Sequence, residues 1–369
     1  MNFGFTEEQD LLRDQVRRFL NEHASSEAVR TIMHTEAGYD AGHWQHMASL
    51  GWLGLVVPPA HGGVGMGWVD LIVLLEEMGR SLYPSPFISS TLAAATISEL
   101  GSPAQQKQLL PGLATGTRIG TLAVLDDVSA PVAGNVTLAA SKQGNSILLS
   151  GTKPFVQDAG AADLFLVGCR IDGELFLALV EKASEGVSAT SSPTMDRTKR
   201  TGSLQLENVS LQDSQLIPMT EAALARIFDK ACVAVTAEMV GAAEAVLNMT
   251  TAYANERIQF DNPIGKYQGV KHRLAEMYVD VESFKSLLYY AAWTVDEQPD
   301  SLPRSASLAK AYASEAFAGI GINGVQLHGA IGFTAEYDVQ LYLKRSKWAR
   351  PMFGDADYHY ERVALIGAY

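Results

Sequence analysis

Cysteine is scarce: 369 residues contain two, Cys169 and Cys232. They stand at no metal-ligand spacing, so the pattern predicts neither a metal site nor a disulfide framework. Basic charge is scarce too. Lys and Arg number 28 against 41 Asp and Glu, a formal net charge of −13, and the cations are scattered. Nucleic acids and anionic membrane surfaces both demand basic patches, so neither is expected as a partner. No apolar run approaches the roughly 20 residues that span a bilayer, and "AVTAEMVGAAEAVL", rich in small apolar residues, reads as a buried helix. The opening "MNFGFTEEQDLL" has neither a basic start nor an apolar export segment, so the expected location is the cytoplasm. Tandem repeats and low-complexity linkers are missing as well. What the chain does have is apolar content, 47%, enough to bury two or three packed subdomains.

Periodicity divides the chain into three. Thr6 with Gln9 three residues later is a helix-capping pair, and Leu12, Val16, Phe19 and Leu20 follow at helical spacing. "WQHMASLGWLGL", "VDLIVLLEEMGRSL" and "SPAQQKQLLPGLATG" also read as helices, separated by the breakers "VVPPAHGGVGMG" and "YPSP". After about residue 118 the pattern changes. "SILLSGTKPFV", "ADLFLVGCRI", "GELFLALVEK" and "GSLQLENVSL" are short β-prone runs bounded by turn residues. From about Thr220 long helical segments return, through "AAEAVLNMTTAYANER", "QGVKHRLAEMYVDVESFKSLLYYAAWTVD" and "RSASLAKAYASEAFAGIGINGVQLHG", long enough for a bundle.

Four stretches, "LGWLGLVVPPAHGGVGMG" with "LLEEMGRSLYPSP", "LSGTKPFVQDAGAAD", "YANERIQFDNPIGKYQGVKHRLAEM" and "GVQLHGAIGF", resemble in order and spacing the signatures of the flavin-dependent acyl-CoA dehydrogenase family. The resemblance covers nearly the whole chain. It implies an α+β fold of an N-terminal helical domain (1–118), a central β domain (119–219) and a C-terminal helical bundle (220–369).

It also implies FAD. Arg257 supplies a permanently charged fork suited to a diphosphate, Phe260 a flat face and Gln268 an amide; in the family these positions hold the FAD diphosphate and adenine. Gln326 and Gly329 stand where the family touches FAD across a subunit interface, with Ala330 in place of a usual glycine. Phe155 stands where an aromatic commonly shields the flavin, and otherwise reads as β-domain core. Asp355 aligns with a residue that faces FAD. His328, beside these, is assigned no chemical role. The stretch "TLAVLDDVSAP" replaces a loop that usually contacts flavin and substrate.

The family's reaction removes an α-proton and a β-hydride from an acyl-CoA, which requires a carboxylate base in a dry pocket and fixed donors to the thioester oxygen. Where relatives carry that carboxylate in a C-terminal "YEGT" motif, this chain has "MFGD", so Phe353 occupies the place of the base. Its backbone N–H keeps the capacity to donate to the thioester oxygen. A second group of relatives places the carboxylate 26 residues before the arginine matching Arg257, and that residue here is Ala231; Cys232 beside it replaces a frequent arginine. Glu238 lies two helical turns beyond Ala231 on the same face, with Ala234, Val235, Gly241 and Ala242 three and four residues away, so its own helix offers no basic partner. It is the candidate base if this chain acts by itself; otherwise it is a buried polar residue bonded elsewhere or an exposed one. Glu244 lies off that face.

These departures resemble a divergent bacterial branch that includes two-gene assemblies acting on CoA thioesters of bulky, ring-bearing acids. The expected function is FAD-dependent α,β-dehydrogenation of an acyl-CoA, within a homo- or hetero-tetramer, with electrons leaving to an electron-transfer flavoprotein. The alternative is a non-catalytic subunit that completes the FAD site of a catalytic paralogue; a flavin oxidase or monooxygenase is a third, weaker reading.

Overall fold

The first helix begins where its cap predicts. In the computed structural model, which describes residues 4–144 and 146–367, the Thr6 hydroxyl accepts from Gln9 N while the Gln9 side chain accepts from Thr6 N, opening α1 (Glu7–His23). Val16, Phe19 and Leu20 form its buried stripe. Then follow α2 (Ser26–Ile32), α3 (Ala41–Ser49), α4 (Trp68–Arg80), α5 (Phe87–Leu100) and α6 (Pro103–Ala114). The last starts with a second reciprocal cap, Ser102 with Gln105, and a proline at the first helical position.

Among the described residues, eight strands form two four-stranded sheets. One has the order β1 (Gly120–Ala123), β4 (Leu164–Ile171), β5 (Glu174–Glu181), β8 (Leu216–Pro218). The other runs β2 (Ala140–Gln143), β3 (Ser146–Gln157), β7 (Thr201–Leu211), β6 (Val187–Ser192). Every β4 residue except Arg170 is buried, which explains why it reads as a continuous apolar run rather than an alternation.

The helical part returns with α7 (Glu221–Glu256), a two-stranded hairpin β9 (Ile258–Gln259) and β10 (Asn262–Pro263), then α8 (Gln268–Glu297), α9 (Leu302–His328), α10 (Val339–Ala349) and α11 (Ala356–Ile366). The fold is therefore N-terminal helices, central sheets and C-terminal helices. α7 is long and apolar enough to cross a bilayer, but its most apolar window is 83% buried within the protein, as expected of a core helix.

The chain divides into two compact units. One holds the residues up to Arg30, Trp68–Tyr83 and Cys232 onward; the other holds Thr31–Gly67 and Pro84–Ala231. In the second unit, α5 packs on β1, and the fully buried Lys153 of β3 binds Asp126 (2.8 Å) and the Val124 carbonyl (2.9 Å). Asp126 also accepts from Thr137 N and Leu138 N, so it ties down the "TLAVLDDVSAP" stretch.

In the first unit, α4 and α7 cross at backbone contact. A Cβ on Gly79 would stand 2.1 Å from the Glu238 carbonyl oxygen, and one on Gly241 1.7 Å from that of Glu76. Only glycine permits that approach. Beside the crossing, Arg13 of α1 binds Glu76 (2.9 Å) and Glu77 (3.0 Å), and Glu77 also binds Arg17 and Arg80. Burial raises the Glu76 carboxyl above its ordinary range against the opposing pull of Arg13.

Candidate functional site

The turn between α10 and α11 carries Phe353. Its backbone is left-handed (φ +57°), as is that of Gly354 (φ +98°), and a bulky residue rarely adopts that conformation unless its surroundings enforce it. Here the surroundings are buried donors. Lys310 of α9, fully buried, donates to the carbonyls of Arg350 (2.9 Å) and Gly354 (3.0 Å) and to Ser314 Oγ (2.9 Å). His359 of α11 lies 3.0 Å from the Phe353 carbonyl through Nε2 and 3.2 Å from Ser307 Oγ through Nδ1. A carbonyl only accepts, so Nε2 carries the hydrogen and Nδ1 accepts from Ser307. The Ser307 oxygen in turn accepts from Arg362 (3.1 Å).

Cys232 of α7 completes the cluster, its sulfur 3.5 Å from the Phe353 carbonyl and 3.6 Å from His359 Nε2. Burial, followed by the nearby Lys310 charge, pushes His359 down to about 3; burial pushes Lys310 down to about 8. Asp355 is the N-cap of α11, its carboxylate accepting from Tyr358 N (3.0 Å).

Glu238 is buried, as a candidate base should be, but its surroundings are not apolar throughout. Arg345 of α10 donates to its carboxylate at 3.2 Å, both side chains being almost completely buried, and the Arg345 guanidinium also lies over the Trp348 ring. The positions three and four residues away on its own helix offer no cation; the partner arrives from 107 residues along the chain. Glu244, off that face, is bound by Arg80 and Lys285.

The cofactor candidates at the C-terminal helices are all exposed. Arg257 follows the last residue of α7, Phe260 occupies the hairpin turn and Gln268 opens α8. Phe260 and Asp261, both left-handed (φ +52° and +62°), make the two-residue turn that a tight hairpin requires. That strained turn leaves the Phe260 ring 86% exposed. Gln326 and Gly329 lie at the end of α9. Gly329 has φ +64°, and a Cβ built on it would meet nothing within 4 Å, so its backbone is open to approach. His328 between them is buried, its ring centroid 4.5 Å from that of Tyr253 and 4.9 Å from that of Tyr337, with Nδ1 donating to the Gly324 carbonyl. It is a packing residue. An exposed guanidinium, two exposed amides, an exposed aromatic face and an open glycine are groups whose chemistry suits a phosphate-bearing aromatic group such as a flavin dinucleotide.

In the other unit, β3 slips register between Lys153 and Val156, and this bulge turns Phe155 (φ +52°) outward to 64% exposure. That sets aside its reading as β-domain core. Among the described residues, three of the eight non-glycine residues with positive φ are thus the three phenylalanines singled out from sequence, 155, 260 and 353. Strained positions of this kind cluster at ligand-binding sites and switch regions. Sequence reasoning missed Lys310, His359 and Ser307, because residues on α9 and α11 meet only through the tertiary fold.

Known proteins match this architecture along its length. The description "Acyl-CoA dehydrogenase, N-terminal domain" matches residues 6–117, and "Acyl-CoA dehydrogenase, C-terminal domain" matches residues 221–365. The chain is 33% identical over 351 residues to Acyl-CoA dehydrogenase IpdE2 of Mycolicibacterium smegmatis, with 95% of each chain covered. Among solved structures it is similar to a variant of the Tcur3481-Tcur3483 steroid ACAD (TM-score 0.88, 31% identity, 98% of each chain). It is similar also to the ChsE4-ChsE5 complex from Mycobacterium tuberculosis (TM-score 0.91, 28% identity, 100% of this chain and 99% of that one). With both family domains matched and a curated relative above 30% identity along 95% of its length, the chain belongs to the acyl-CoA dehydrogenases, enzymes that dehydrogenate acyl-CoA thioesters with a flavin.

Proposed function

We propose that this chain is one of two paralogous subunits of a cytoplasmic, FAD-dependent dehydrogenase of bulky, ring-bearing acyl-CoA thioesters. The paralogue supplies the base, and this chain completes the FAD site. Bound FAD would supply the hydride acceptor for the β-hydrogen and the route by which electrons leave to an electron-transfer flavoprotein. Arg257 binds the diphosphate, Phe260 and Gln268 the adenine side, and Gln326 and Gly329 reach the group from a neighbouring subunit. Phe155, by its exposed aromatic face, and Asp355, which also caps its helix, are further candidates for contact with the flavin.

The observation that carries this reading is the Glu238–Arg345 pair. Both familiar base positions hold Phe353 and Ala231, and the remaining carboxylate is ion-paired in the interior. A carboxylate oxygen already engaged by a buried guanidinium 3.2 Å away must give up that ion pair to meet a substrate carbon, and breaking a buried pair is unfavourable. Two solved structures to which the chain is similar carry two-chain names, one of them a steroid enzyme, which supports a heteromer and a bulky substrate.

Flavin absorbance near 450 nm and its bleaching by ring-bearing acyl-CoAs test the reading, with the chain purified alone and after co-expression with a neighbouring paralogue. Bleaching is expected only in the assembly, and Glu238→Gln in this chain should keep the rate within about threefold. The rival is Glu238 as the base: a fall of several powers of ten in Glu238→Gln, with flavin retained, would establish it and overturn the proposal.

A further inference from the structure

A cavity of about 190 Å³, partly open to solvent, lies within the first compact unit, where α1 and α4 end and α2 and α10 begin. None of the residues assigned above to flavin or substrate lines it. Its inner wall is apolar, made of the buried side chains of Leu20, Val29, Leu82 and Leu341. Leu82 holds its place against its backbone preference. Tyr83 N donates to the Met78 carbonyl and Leu82 N to that of Gly79 (3.1 Å each), a helix-ending turn whose left-handed residue is usually glycine, yet here it is a leucine at φ +50°. Glycine would relax the backbone and leave the wall without that side chain. The polar lining has spare capacity. Ser26 and Arg30 both bond Asp338 through Oδ1 (2.6 Å each), so Oδ2 has no hydrogen-bond partner among the described residues. The same holds for the side chains of Asn21 and Ser81, which also line the cavity.

We propose that this cavity binds a small aliphatic ammonium ion, its head on Asp338, Asn21 and Ser81 and its alkyl chain on the leucine and valine wall. A carboxylate oxygen only accepts, so an occupant must bring a donor, which sets aside carboxylates and phosphates. A primary ammonium has three donors and no acceptor, and the lining offers three side-chain oxygens that the fold leaves unbonded. Two helices end at the cavity and two begin there, so their dipoles oppose one another and the Asp338 carboxylate sets the local sign. The net charge of −13 favours a cation further. The volume lies below the roughly 300–1,000 Å³ of pockets for drug-sized ligands, which limits the occupant to a short chain. This site is independent of the flavin reading, and either can fail alone.

Three probes with similar short alkyl chains and different heads test this: n-butylammonium, n-butanol and butyrate. Each is titrated into the full-length protein, with whatever flavin and partner chain it carries, after ¹³C labelling of its leucine and valine methyls. Butylammonium should bind at least tenfold more tightly than either analogue and should move the methyl signals of Leu20, Val29, Leu82 and Leu341. Asn21→Ala with Ser81→Ala removes side chains that the fold leaves unbonded, so the thermal midpoint should hold while butylammonium affinity falls at least tenfold. Asp338→Asn keeps Oδ1 for Arg30 and Ser26 but turns the free oxygen into a donor, so it should abolish saturable binding. Equal binding of the three probes overturns the proposal, as do methyl shifts confined to other residues. Undiminished butylammonium affinity in the Asn21→Ala, Ser81→Ala protein overturns it too. Should a variant fail to fold, the head-group preference and the methyl shifts in the unaltered protein decide, and no saturable butylammonium binding there means a hydrated cavity only and ends the proposal.

Discussion

His359 keeps a neutral ring in the interior, with Lys310 and Arg362 opposing its protonation and Asp355 weakly favouring it. Its folded pKa of about 3 lies below the roughly 6.5 of a histidine in the unfolded chain. Between those values the unfolded chain binds one more proton than the folded one. Stability from this group is therefore complete above pH ~6.5 and is lost as the pH falls, at about 1.4 kcal/mol per pH unit for one proton. His359→Gln cannot take up that proton. Its thermal midpoint should fall less steeply than that of the native protein between pH 6 and 4, and a parallel pair of profiles would refute the assignment of a buried neutral ring. None of this was legible in the sequence, where His359 is one of eight histidines with no local signal. The reading of Phe353 and Ala231 as missing carboxylates comes from the family spacing alone. Glu238 was only half legible: its face and burial follow from helix period, but Arg345 comes from a helix 107 residues on.

At the scale of elements, what could be read was what depends on local periodicity. The capping pair at Thr6, the long segments that became α7, α8 and α9, and the four apolar runs that became β3, β4, β5 and β7 all carry their own pattern. Strands β1 and β8 are four and three residues long, too short for a period, and β6 reads Val-Ser-Ala-Thr-Ser-Ser with no apolar face to detect. Pairing order is likewise non-local. The crossing of α4 and α7 shows the same limit. Each helix carries a glutamate three residues before a glycine, Glu76 with Gly79 and Glu238 with Gly241, and each glycine receives the other helix's glutamate carbonyl. A methyl at Gly241 would stand 1.7 Å from backbone oxygen, which cannot move aside as a side-chain tip would. Gly241→Ala should cost about 3 kcal/mol or more, since the helices must separate and the core around them loosens. Thermal denaturation reads the loss directly, and a midpoint within a degree of the native one would show that the crossing tolerates the methyl.

At the scale of the whole molecule, the exposed residues say more than the buried ones. Arg257, Phe260, Gln268, Gln326 and Gly329 are all accessible, and among the described residues the Arg257 guanidinium has neither a hydrogen-bond nor an ion-pair partner. A strained hairpin that displays a phenylalanine at 86% exposure is unfavourable for an isolated chain, both through its backbone and through the apolar ring left in water. A ligand and a neighbouring subunit would compensate both. If the proposed FAD site is completed across subunits, flavin retention and assembly depend on each other, because whatever binds only the assembled state stabilises it by mass action. The double variant Arg257→Ala, Gln326→Ala removes one contact from each side of that site. It should purify with less than about a tenth of the native flavin, the loss expected when a charge-assisted contact and an amide contact worth roughly 1.5–3 and 0.5–1.5 kcal/mol disappear together. Size-exclusion chromatography with in-line absorbance near 450 nm should then show smaller species in proportion to the flavin lost, and added FAD at high concentration should restore both signals together. Normal flavin content and assembly in the double variant would place the cofactor elsewhere. Loss of flavin from a fully assembled oligomer would instead show that these residues bind the cofactor without holding the subunits.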